Sequence, residues 1–177
     1  MTTNETVGKW TTRFMYAAIA QGLAAFVITA LIVLPILKPS PTMLIAGGSA
    51  GTWLTVGYLS YLVVGVMGVA VTALFYHLIE DGLHKAVTGI SSGLAWAHFV
   101  LMNVGVAAAT WMLMYAGYIG GTGLLSTASG GGGLTAGQVH PHIVGFVNPI
   151  GYAVSAVALG VLLGGIAYTF TLRKKSE

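Results

Sequence analysis

Four long apolar runs, at residues 14–34, 53–79, 90–118 and 143–172, constrain this chain more than any other feature. An α-helix needs about 20 apolar residues to cross the hydrocarbon core, because each residue rises about 1.5 Å. Inside a bilayer the backbone has no water to bond, so a spanning segment is either a helix or a strand of a closed barrel. Barrel strands need only about 10 residues each. The runs therefore predict an all-α, polytopic membrane protein, one domain built as a four-transmembrane-helix bundle. Composition supports this. Only 6% of the 177 residues are charged, against about 25% in a soluble domain, too few to cover a surface facing water.

The breaks between runs have separate causes. Pro35, Pro39 and Pro41 end the first run, and Glu80 and Asp81 end the second. Gly120 and Gly121 end the third, and Arg173, Lys174 and Lys175 end the fourth. The stretch 44–51 is short and Gly-rich, and reads as part of an outer loop. Residues 120–138 carry no charge and include Gly130 to Gly133. That composition predicts a flexible outer loop that does not pack. The first run exceeds the 7–15 residues of a signal-peptide core, so it is expected to remain as a span.

Lys and Arg favour the cytoplasmic side of a membrane. With the N-terminus inside, Lys9, Arg13, Lys85, Arg173, Lys174 and Lys175 fall on the cytoplasmic side and Lys38 alone falls outside. This bias places both ends in the cytoplasm and the chain in the cell membrane. The basic residues thus report topology, and no nucleic-acid surface is expected. Trp10 and Trp53 read as interfacial anchors. Gly57, Gly65 and Gly68, then Gly105 with Ala107, Ala108 and Ala109, then Gly160, Gly164 and Gly165 put small residues inside the spans. Such residues let helices approach closely in lipid, either within the bundle or against a partner.

The stretch Leu94 to Gly105 reads Leu-Ala-Trp-Ala-His-Phe-Val-Leu-Met-Asn-Val-Gly. Its His-Phe pair followed by Met102 and Gly105 resembles the penultimate helix of subunit I of the heme-copper oxidases. Ala73-Leu-Phe-Tyr, a short polar turn and Trp96-Ala-His-Phe follow that family's order between two late helices. Asn148-Pro-Ile-Gly-Tyr and the Tyr168-Thr-Phe-Thr-Leu-Arg-Lys-Lys end resemble its last helix and basic tail. The resemblance covers roughly residues 57–175, the family's last three helices. One departure is decisive for chemistry. The family begins the helix matching the second run with two heme-binding histidines one residue apart. Aligned through Phe75 and Tyr76, those positions hold Tyr58 and Ser60 here. The histidines and crosslinked tyrosine of the family's copper site lie on helices this chain lacks. The resemblance implies the scaffold of the oxidase core without its reaction.

The chain has five histidines and no cysteine. His98 falls about nine residues into its span, about 13 Å below the boundary and near the midplane. An imidazole there is either an axial ligand of a heme b or a structural residue bonded to a neighbouring helix. In the family the matching histidine binds no heme. His77 sits about 10 Å nearer the boundary than His98, too offset for a bis-histidine pair. His84 reads as a solvated interface residue. His140 and His142 flank Pro141, which is expected to start the fourth helix. They could hold copper if a third ligand such as Met43 joined them. Otherwise they cap the helix.

Asn148-Pro149 reads as a structural kink, Asn103 as an interhelical hydrogen bond, and Met102, Met112 and Met114 as core filler. Glu80 and Asp81 read as a solvated turn. No carboxylate lies within an apolar run, which disfavours a proton pump or ion-coupled transporter.

The residues therefore predict an accessory, non-catalytic membrane subunit of a respiratory complex, by the resemblance a heme-copper terminal oxidase. It would sit in the lipid bilayer against the other membrane subunits of that complex, with no cofactor of its own. Two alternatives stand beside this. One is a small membrane cytochrome b carrying heme on His98 and taking electrons from quinol. The other is a copper-binding assembly factor using His140 and His142.

Overall fold

A computed structural model of the protein describes residues 8–173. Four long apolar helices form it: α1 (Lys9–Val33), α3 (Gly51–Gly82), α4 (Ile90–Leu124) and α5 (Ala136–Arg173). A short α2 (Pro41–Gly47) joins the first two of these. No strand occurs among the described residues. This is the expected all-α membrane bundle. Its outward faces are apolar, as lipid requires: Tyr16, Leu23 and Phe26 on α1 and Tyr152 and Leu162 on α5 are all exposed. The two ends of the bundle differ in charge. The basic end holds Lys9, Arg13, Lys85 and Arg173, and the opposite end holds Lys38. Lys174 and Lys175 lie outside the described residues.

The helices pack in a row, α1 on α3, α3 on α4 and α4 on α5, with the α4–α5 contact the most extensive. Small residues make the close crossings. A methyl group at position 105 would lie 3.0 Å from the Ala153 carbonyl oxygen of α5. One at position 160 would lie 3.1 Å from the Met102 amide nitrogen of α4. At position 117 it would overlap the Leu54 amide nitrogen of α3. Much of the small-residue pattern is thus used inside the bundle, whereas Gly165 has nothing within 4 Å.

The long helix α3 changes partner along its length. Residues Gly51–Ser60 pack on α4, and Val69–His77 pack on α1. Between them, Tyr61–Gly68 form a π-helical stretch. A π turn inserts one extra residue and so rotates the following faces by about 100°. That rotation hands α3 from one neighbour to the other.

Several boundaries differ from those expected. The stretch 44–51 is not all loop. Ser40 precedes Pro41 at the first helical position, and Leu44 buries itself beneath Gly51 and Gly121. A proline at that position loses no helical bond, so α2 forms. Gly120 and Gly121 do not end the third helix. A methyl at 120 would lie 2.7 Å from the Ala50 side chain, so the glycine answers a packing need.

The connection after α4 shrinks to residues 125–135, and it packs. The amides of Gly132, Leu134 and Gly133 bond the carbonyls of Thr122, Gly123 and Leu125 at 2.8–2.9 Å. The glycine run therefore satisfies the carbonyls that a helix leaves open at its C-terminus. Gly130 (φ 82°) and Gly133 (φ 61°) supply the left-handed backbone this return requires.

Pro141 does not start α5. Thr135 and Gln138 form a capping box that starts the helix at Ala136, so Pro141 lies inside it. A 3₁₀ turn, Val144–Phe146, follows, and regular α-helix resumes at Val147. Pro149 then falls in the first turn of that segment, where a missing N–H removes no α-helical bond.

Candidate functional site

The one buried histidine, His98 of α4, is 3% exposed and lies among aromatic rings. Its ring centroid is 5.1 Å from Phe14, 6.2 Å from Tyr76 and 6.1 Å from Tyr168. These rings come from α1, α3 and α5. The Tyr76 hydroxyl lies 3.5 Å from His98 Nδ1, at the limit of a hydrogen bond. On another side the ring fills a notch left by Gly164, where a methyl group would overlap Nδ1. A heme needs an open flat space beside its ligand. Here this chain's own rings and the Gly164 backbone take up that space. His77 stands apart from His98 on the exposed surface, with its Nδ1 2.7 Å from Asp81 Oδ2. The residues around His98 do not fit a heme.

His140 and His142 are both exposed and sit two residues apart on α5. Residues at that spacing point about 200° apart around a helix, so the imidazoles diverge. His140 lines a recess with Trp53 and Ile143, and Met43 lines an adjoining one, the two meeting at Leu124. Among the described residues, no three His, Cys, Asp or Glu side chains gather closely enough to hold a metal ion. The two diverging imidazoles do not by themselves make a copper site. His84 lies exposed in the turn after α3, with φ 52°.

The acidic pair at the end of α3 is not a free solvated turn. Glu80 Oε2 accepts hydrogen bonds from the amides of Trp10 and Thr11, each at 2.9 Å, and from Thr11 Oγ1 at 3.2 Å. Asp81 Oδ1 accepts from the Gly8 amide at 2.8 Å. Both carboxylates thus sit on the N-terminus of α1, where open N–H groups and the helix dipole favour negative charge. Trp10, expected as an interfacial anchor, is 1% exposed and stacks on Tyr76. Arg13 lies between two indoles, its Cζ 4.4 Å from the Trp10 ring and 4.3 Å from the Trp96 ring. Lys85 Nζ donates to the Leu172 carbonyl at 2.5 Å and closes the C-terminus of α5.

Two polar links cross the mid-bundle. Gln21 Nε2 donates to Asn103 Oδ1 at 3.4 Å, and the Tyr61 hydroxyl donates to Gln21 Oε1. Asn103 also donates to the Phe99 carbonyl at 2.8 Å. Gln21 joins α1, α3 and α4, a role that sequence reasoning missed. The signal for it is present: Gln21 is the one amide side chain in the first apolar run. The second link is the Tyr58 hydroxyl, 2.8 Å from Thr29 Oγ1. Met102 is buried in the core, with its sulfur 3.7 Å from Thr72 Oγ1.

No family model, curated protein or solved structure matches this chain.

Proposed function

We propose that this chain is a non-catalytic membrane subunit of a respiratory complex, and that the complex is a heme-copper terminal oxidase. The observation that carries the reading is at Tyr58. Where the resembling family places a heme ligand, this chain has a phenol engaged with Thr29 of α1. In this chain that position serves to hold two helices together. His98 supports the same reading, since its surroundings suit packing and leave a porphyrin no face.

The role is then architectural. α1 and α5 carry exposed apolar side chains, among them Leu23, Phe26, Val154 and Leu162, for lipid and a larger helical subunit to cover. The basic end faces the cytoplasm of the cell membrane, following the distribution of Lys and Arg. The test is purification of the tagged chain from native membranes in mild detergent. A large heme-bearing subunit should co-purify, and its yield should fall when the chain is deleted. A chain that purifies with no respiratory subunit, or whose deletion leaves oxidase assembly unchanged, overturns the proposal.

A further inference from the structure

The four helices do not close on one another evenly. Toward the Lys38 end, a groove of about 570 Å³ lies between α1 and α4. Ala24, Ile28 and Leu31 of α1 form one wall, and Leu54, Trp111 and Tyr115 of α3 and α4 form the other. Along α1 the groove runs from Ala24 to Ile32. Eight residue steps give about 12 Å, close to the depth of one leaflet's chains, which is half of about 30 Å. Leu37 and Pro41 line its end and flank exposed Lys38 in the chain. The Tyr118 hydroxyl donates to the Pro39 carbonyl at 3.3 Å and ties this connection to α4.

Charge identifies the occupant. Lys38 is the only Lys, Arg, Asp or Glu at this end among the described residues, because Glu80 and Asp81 both lie at the basic end. A single cation beside an apolar groove one leaflet deep matches a lipid with a negative headgroup. We infer that the groove holds one acyl chain of an anionic phospholipid, with its phosphate at Lys38.

The test places the full chain in phosphatidylcholine nanodiscs containing a small fraction of brominated-chain phosphatidylglycerol or, separately, brominated-chain phosphatidylcholine. Bromine quenches tryptophan at contact. The Trp111 signal is the difference between the wild type and Trp111→Phe. One lysine near the membrane surface favours an anionic lipid by about fivefold. Trp111 quenching by the phosphatidylglycerol should exceed that by the phosphatidylcholine by this factor. Lys38→Gln should remove the excess and Lys38→Arg should keep it. Both substitutions lie on an exposed connection and leave the bundle intact. Equal quenching by the two lipids overturns the inference. So does an excess that survives Lys38→Gln, or a Trp111 that neither lipid reaches because another chain covers it.

Discussion

The two ends of the bundle are held together by different means. At the basic end, Trp10, Phe14, Tyr76, His98 and Tyr168 fill the space between helices with rings. Carboxylates from α3 grip the start of α1. Toward the Lys38 end, glycine brings α3 and α4 together, as at Gly117 against Leu54. There α1 stays tied to α3 through Thr29 and Tyr58, and a groove opens beside α4. In lipid there is no hydrophobic force between helices, so packing and polar bonds must hold them. Large rings bridge helices that stay apart, and glycines serve helices that touch. The π-helical stretch of α3 marks the change from one regime to the other.

The largest expected effect comes from adding a methyl group where backbones touch. Gly117→Ala drives it into a backbone nitrogen that cannot move aside. It should cost about 3 kcal/mol, the upper range for overpacking, in an unfolding titration in micelles. A neutral result would break the contrast between the ends. Next, His98→Ala should cost about 3 kcal/mol by opening a cavity among the rings, whereas His98→Phe should cost about 1 kcal/mol. Equal losses would show that the imidazole's chemistry matters more than its volume.

Glu80→Gln keeps the shape but removes the charge on the N-terminus of α1. It should cost about 1 kcal/mol and speed amide exchange in the first turn of α1. Thr29→Val, which breaks the link to Tyr58, should cost about 0.6 kcal/mol. The smallest effect, and a gain, belongs to Gly165→Ala: the methyl meets nothing within 4 Å, and the better helix former should raise stability by about 0.5 kcal/mol.

The spans were legible because the bilayer demands length and apolarity, and both are written in the sequence. Roles that depend on a distant neighbour were not. Gly120 and Gly121 read as breakers because nothing local showed Ala50 and Leu44 pressing against them. The run Gly130 to Gly133 read as slack because a capping return is visible only once α4 ends nearby. Glu80 and Asp81 read as solvated because their partners are remote in the chain: Glu80 and Trp10 stand 70 positions apart. At the candidate site, that His98 turns inward was legible from its place in the run. Its enclosure was not, since the enclosing rings come from three other helices.

The most direct test is a heme assay on the isolated chain, expressed in cells that make heme and purified to homogeneity. The expected result is an absorption spectrum without a Soret band and iron only at trace level. One heme per chain, lost on His98→Ala while the helices remain folded, would contradict a purely architectural role.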